Sequence, residues 1–309
     1  MSGAQADTRV NLGGIALRNP VLTASGTFGY GAEFAPFFDL TAIGGIVAKS
    51  ITLEPRQGNQ PARIAETAAG MLNAIGLENV GVDAFIAEKL PALAAGVVVV
   101  ASVFETEIER YAEVCKRLAG APRVAGIEIN ASCPHVKSGG IEFGQRAEIL
   151  AQLVRATRQA TSLPLLVKLS PNVTDIREMA RVCEAEGADG LSLINTLQAL
   201  DIDVATRRPV LRNGLGGLSG PAIRPVALRM VWQASQAVRI PICGIGGIMN
   251  AEDAIKFLIC GATAVQVGTA NYLNPMAARE VADGIEAYLR ASGVARVTDL
   301  VGTLEWPSR

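Results

Sequence analysis

The 309-residue chain has one histidine and no block of one charge sign, and none of its apolar runs approaches the roughly 20 residues a membrane span needs. The lone His135 leaves no HExxH-like pattern, so a catalytic metal is disfavoured. A Cys-x-His spacing in a loop rarely turns the imidazole back onto the thiol, which disfavours a cysteine-protease dyad. Five cysteines (Cys115, Cys133, Cys183, Cys243, Cys260) lie scattered without a CxxC pair, which speaks against a disulfide framework, a cysteine zinc site and an iron–sulfur cluster on this chain. Lys and Arg number 28 against 29 Asp and Glu, with no basic stripe, so no nucleic-acid surface is expected. Residues Met1 to Thr8 lack the basic start and apolar block of a secretory signal, and the expectation is a cytoplasmic protein without a membrane segment.

What the chain does have is apolar material, 50% of its residues, in short blocks. Eight runs read as strands: Val21 to Ser25, Gly45 to Ser50, Val97 to Val103, Val124 to Asn130, Leu165 to Ser170, Gly190 to Asn195, Ile240 to Gly244 and Ala264 to Gly268. Helical periodicity marks Val82 to Ala94, Ile108 to Leu118, Gln145 to Ala160, Asp175 to Glu186, Ile223 to Ala237, Ala251 to Ile259 and Pro275 to Leu289, with Thr174 and Asn250 as N-caps. The fold expected is α/β, a (β/α)8 TIM barrel in one domain over residues 1–309. An open doubly wound sheet is the alternative, weakened by the lack of an early GxGxxG. Val10 to Leu17, alternating around Gly13-Gly14, reads as a small N-terminal hairpin closing the barrel's N-terminal end. Thr52 to Leu77 and Leu197 to Leu218 exceed ordinary βα loops and are expected to extend over the C-terminal face.

Parallel barrels gather their chemistry at the C-terminal strand ends, and those ends are polar here. They carry Ser25-Gly26-Thr27, Lys49-Ser50, Ser102, Asn130 with Cys133, Lys168, and Asn195-Thr196. A lysine ending an apolar run is costly unless it meets an anion, either a ligand or a neighbouring carboxylate. The last two strands end in Gly244 to Gly247 and Gly268-Thr269, each before a helix start, which suits a phosphate held by backbone N–H groups. Gly220, before another helix, could add a contact, although a glycine pair also reads as a tight turn.

Asn130-Ala131-Ser132-Cys133-Pro134-His135-Val136-Lys137-Ser138-Gly139-Gly140 ends a buried run in a thiol surrounded by amide, hydroxyl and glycine. A reference thiol pKa of about 8.5 makes Cys133 a poor base unless its site helps. Cys115, Cys183 and Cys260 fall in helical stretches and read as packing residues. Ser138-Gly139-Gly140 offers a hinge for the Cys133 loop, or a plain surface turn.

Taken in order, Ala24 to Gly31, Lys49 to Thr52, Asn73 to Asn79, Asn130 to Gly140, Lys168 to Asn172, Ile194 to Leu197, Gly216 to Pro221, Gly244 to Ile248 and Val267 to Asn271 resemble the class 1 dihydroorotate dehydrogenases, type 1B, in their catalytic subunit. The resemblance implies an FMN-dependent oxidation of dihydroorotate to orotate in pyrimidine (UMP) synthesis. Cys133 would remove the C5 proton as the C6 hydride passes to flavin N5, with Lys49 and Lys168 as the other catalytic residues. Lys168 would face the flavin N1 edge, and Lys49 both substrate and flavin. The resemblance assigns FMN to Ser25, Lys49, Ser50, Ser102, Asn130, Lys168, Ile194, Gly220, Gly246, Gly247, Gly268 and Thr269. It assigns the substrate to Lys49, Asn73, Ala74, Ile75, Gly76, Leu77, Asn130, Asn195 and Thr196.

Class 2 enzymes resemble the same barrel but use serine as base and carry an amphipathic N-terminal extension; Cys133, and the absence of such a stretch before Val10, make class 2 the less expected reading. Type 1B further implies a partner subunit that carries FAD and an iron–sulfur cluster and relays electrons to NAD. It also implies a homodimer of catalytic subunits at the core of a heterotetramer. His135 stands where these enzymes usually have asparagine, and Cys-Pro-His resembles dihydropyrimidine dehydrogenase, which reduces uracil or thymine on the same FMN barrel. Asn73 to Asn79 and Val136 to Gly140 keep orotate chemistry ahead.

Overall fold

A computed structural model describes residues 6–131 and 143–307. Strands Val21–Thr23, Gly45–Val47, Val99–Val103, Val124–Asn130, Leu165–Leu169, Gly190–Leu193, Ile242–Ile245 and Ala264–Val267, here strands one to eight, pair in parallel around a closed barrel. Strand eight returns to strand one through Val265 opposite Val21. Each run expected from the sequence forms a strand, and each is apolar nearly end to end because helices cover one face and barrel side chains the other.

The helices follow as expected, with two differences. In Ile108–Ala119 the buried residues Tyr111, Val114, Cys115 and Leu118 recur at helical spacing and form the face turned to the core. Asn250 caps Ala251–Ile259, its side chain accepting from the Asp253 N–H at 3.0 Å. The cap of Ile176–Ala185, however, is Asp175 rather than Thr174: its Oδ1 accepts from the Arg177 N–H at 3.0 Å, and a carboxylate there also meets the positive helix end. The expected helix from Val82 to Ala94 is one α turn, Val82–Ala84, widening into a π-type turn over Phe85–Lys89, where the Leu90 N–H reaches the Phe85 carbonyl at 3.0 Å. Pro91 follows, with no N–H to prolong it.

Cys115 and Cys183 are buried in helices; burial pushes the Cys115 thiol up to about 12 and raises Cys183 as well. Cys260 follows helix Ala251–Ile259 directly and is partly exposed. The hairpin is Val10–Leu12 against Ile15–Leu17. Its turn lies against Asp189 and Pro164, the residues just before strands six and five, so it sits at the N-terminal end of the barrel.

The two long loops contain strands that the sequence reading did not anticipate. Leu197–Ala199, Gly216–Ser219, Gly70–Asn73 and Ile64–Thr67 pair in that order as an antiparallel sheet, so both loops join into one roof. A smaller ladder, Ile202–Asp203 with Arg208–Pro209, projects from it.

Candidate active site

Between the C-terminal strand ends and this roof lies a cavity of about 450 Å³. Its floor follows from the barrel register. Asn130 on strand four and Lys168 on strand five are lateral partners, so two polar side chains from apolar strands arrive together. Lys168, only 5% exposed, donates from Nζ to Ser25 Oγ at 3.3 Å, joining the fifth strand to the segment after the first. From the end of strand six, Asn195 donates from Nδ2 to Asn130 Oδ1 at 3.2 Å. Lys49 follows strand two and is half-buried at the cavity. Burial depresses its pKa, the Glu78 carboxylate opposes that, and the Arg63 guanidinium adds to it.

The roof supplies the opposite wall. Asn73, Ala74, Ile75, Gly76 and Leu77 line the cavity, and Asn73 Nδ2 donates across the sheet to the Gly217 carbonyl at 3.3 Å. Thr196 enters from the far loop, where its N–H meets Asn195 Oδ1 at 2.8 Å.

The third wall is glycine. Gly246 and Gly247 have φ of 123° and 75°, values that L side chains rarely adopt. A Cβ on Gly247 would come within 2.7 Å of Arg224 Cβ and 2.9 Å of the Gly220 carbonyl oxygen, so only glycine permits this close packing of the turn against the Arg224 helix start. Arg224 begins helix Arg224–Ser235, which sets a helix N-terminus against the cradle. Gly220, Gly268, Thr269 and Ile194 complete the wall, with Thr269 Oγ1 donating to or accepting from Ser219 Oγ at 2.8 Å.

Nearly all the predicted residues among those described, together with Ser50, therefore meet in one cavity. Ser102, fully buried, places its Oγ 2.9 Å from Ser50 Oγ, so that the two hydroxyls orient one another at the cavity edge. Cys133, His135 and the Ser138 to Gly140 hinge lie outside the described residues. Several lining residues escaped the sequence reading. Asn172 accepts from the Gln198 N–H at 3.1 Å, Asn59 donates to the Ala74 carbonyl at 2.8 Å, and Tyr272 donates its hydroxyl to the Gly26 carbonyl at 3.0 Å. Asn172, four residues after Lys168 in a strand-end loop, was the one with a usable signal; Asn59 and Tyr272 arrive through loop and short-helix geometry.

Cationic groups, a glycine cradle beside a helix start and paired amides at the mouth of a parallel barrel define a barrel whose site is chemically suited to a polar, anionic ligand. The family model for dihydroorotate dehydrogenase matches residues 8–289, and the chain belongs to that family of oxidoreductases. It is 58% identical over 300 residues to the dihydroorotate dehydrogenase B (NAD(+)) catalytic subunit of Pelobacter propionicus, covering 97% of this chain and 99% of the relative. The proteins of that name from Geotalea daltonii and Geotalea uraniireducens are each 56% identical, covering 98% and 96% of this chain and 99% and 98% of theirs. Among the described residues no helix is long and apolar enough to cross a membrane.

Proposed function

We propose that this chain is an FMN-binding catalytic subunit that oxidises (S)-dihydroorotate to orotate in the cytoplasm, as one barrel domain. The observation that carries the reading is the convergence of Lys49, Asn73, Asn130, Lys168 and Asn195 on a single cavity beside the Gly246-Gly247 cradle. The site fits FMN: the Gly246-Gly247 turn packs so closely on the start of the Arg224 helix that a Cβ on Gly247 would collide with it, which sets bare backbone beside a helix N-terminus suited to a phosphate. Gly220, Gly246, Gly247, Gly268 and Thr269 would hold the phosphate end; Ser25, Ser50, Asn130, Lys168 and Ile194 would hold the ring. When bound, FMN supplies the acceptor for the hydride that leaves substrate C6.

The chain's own residues do the rest. Asn73, Asn130, Asn195 and Thr196 present amide and hydroxyl groups that match the imide and carboxylate of a dihydropyrimidine acid, and the Asn195–Asn130 bond fixes two of them relative to one another. Lys49 would pair with the substrate carboxylate, with Ala74, Ile75, Gly76 and Leu77 closing over the ring and excluding water. Lys168, tied to Ser25, would lie beside the flavin ring and stabilise the negative charge that develops there during hydride transfer. Cys133, in the segment after strand four, would take the C5 proton.

The relatives are named as catalytic subunits of an NAD(+) enzyme, which supports a partner that takes the electrons onward. In this reading the partner carries FAD and an iron–sulfur cluster, and the catalytic chain pairs with itself inside a heterotetramer. The relatives' names also favour orotate chemistry over reduction of uracil or thymine. Steady-state orotate formation by FMN-loaded protein with an artificial electron acceptor tests the reading, with Cys133→Ser as the comparison. Orotate should form, and more slowly with the serine variant near neutral pH. No turnover of dihydroorotate alongside turnover of dihydrouracil would replace the reading with the pyrimidine reductase.

A further inference from the structure

Below the cavity floor, the barrel interior holds charge that the proposed chemistry does not use. Glu128 lies two residues before Asn130 on strand four and is fully buried. Its Oε2 accepts from Gln266 Nε2 at 2.7 Å. Because Gln266 is on strand eight and three strands lie between the two either way round, the bond crosses the barrel interior. Its Oε1 has no hydrogen-bond partner among the described residues and stands 4.0 Å from Lys168 Nζ.

A buried carboxylate and a buried ammonium each cost several kcal/mol to desolvate, and a barrel interior is normally filled by branched apolar side chains. Such a pair can be kept as structural glue, in which case the charge on Lys168 is incidental. The surroundings point elsewhere. The groups around Lys168 are Ser25 Oγ, the Glu128 carboxylate and the Cys243 thiol from strand seven, with Ser192 its register partner on strand six and Lys49 also on the cavity. Burial, then the Glu128 charge, raises the Cys243 thiol and keeps it neutral. Glu128 is thus the carboxylate in this set, and Gln266 holds it so that its other oxygen stands towards the lysine.

We propose that Glu128 is a positioning residue that keeps Lys168 an ammonium aimed into the cavity, with Gln266 as the strut that holds Glu128 in place. What that ammonium serves rests on the FMN reading; that Glu128 maintains it does not. Burial alone favours the neutral amine of a lysine, and a carboxylate at this distance favours the cation.

The test is trace acetylation of Lys168 in the full-length, flavin-stripped chain, followed by mass spectrometry across pH, because only the neutral amine reacts. In Glu128→Gln the Lys168 profile should move to lower pH, reacting roughly tenfold faster at a pH where the parent is still protonated, about one pKa unit. Glu128→Asp, which keeps the charge on a shorter arm, should fall between the two. An unchanged profile in Glu128→Gln, or one moved to higher pH, overturns the proposal. Should Glu128→Gln fail to fold, the double variant Glu128→Gln/Lys168→Met decides. Restored folding supports an unpaired lysine as the cause, and continued failure contradicts it. Added FMN should protect Lys168 in the parent chain; lack of protection would remove the FMN reading while the profiles still judge Glu128.

Discussion

The cavity has a floor and a roof built by different rules. The floor is barrel: Asn130 and Lys168 are placed by parallel register between strands buried on both faces. The roof is two loops zipped into an antiparallel sheet whose side chains are mostly half-exposed, with Leu72 the buried exception. A floor group that shifts must drag a strand with it, whereas the roof is held largely by backbone ladder bonds. Groups that must sit still as charge develops belong on the floor, and groups that select and enclose a substrate can sit on the roof.

That division orders the expected effects of mutation. Lys168→Met should reduce the rate of flavin reduction by about 10² to 10³, the scale for losing one preorganised charge, as measured by stopped-flow absorbance. Asn73→Ala, on the roof, should raise KM for dihydroorotate by roughly tenfold with much less change in kcat, the mark of lost binding common to ground and transition states. An equal fall in kcat for both variants would erase the contrast between floor and roof.

Gly247→Ala tests the cradle between them. Left-handed backbone and a 2.7 Å approach to Arg224 Cβ should cost about 1–3 kcal/mol, seen as a lower thermal midpoint and weaker FMN retention. The pH dependence of orotate binding tests Lys49. Its pKa is depressed by burial, so the cation that would hold the carboxylate is lost as pH rises through a value below that of an ordinary lysine. Affinity should fall on the alkaline side in the parent and stay flat in Lys49→Arg, as read by equilibrium titration. For stability the sign is opposite: the unfolded chain binds the Lys49 proton more tightly, so this group destabilises at low pH, and that penalty lessens as pH rises through the depressed pKa. The smallest effect is expected from Ser102→Ala, which deprives Ser50 Oγ of its 2.9 Å partner and should cost FMN binding about 1 kcal/mol.

The same contrast explains what could be read from the sequence. Barrel strands announce themselves because both faces are buried, so Val99–Val103 and Leu165–Leu169 are apolar except for one polar residue near the C-terminal end of each, Ser102 and Lys168, where the chemistry lies. Roof strands such as Ile64–Thr67 and Gly216–Ser219 carry Gly, Glu, Thr and Ser on half-exposed faces, a pattern shared with any polar loop; only the partner strand from the other loop makes them a sheet. Ser102 was readable as a strand-end hydroxyl, but its bond to Ser50 Oγ is a matter of side-chain direction that the sequence does not carry. Glu128 was hidden for a related reason. One carboxylate inside an apolar run gives no hint of a bond to Gln266, 138 residues further on.

The central claim is that this cavity brings dihydroorotate and FMN together, and an anaerobic titration of the FMN-loaded chain with dihydroorotate tests it most directly. The account predicts that the flavin absorbance bleaches stoichiometrically, one equivalent per chain, with orotate as product. A flavin that stays oxidised under excess dihydroorotate would contradict it.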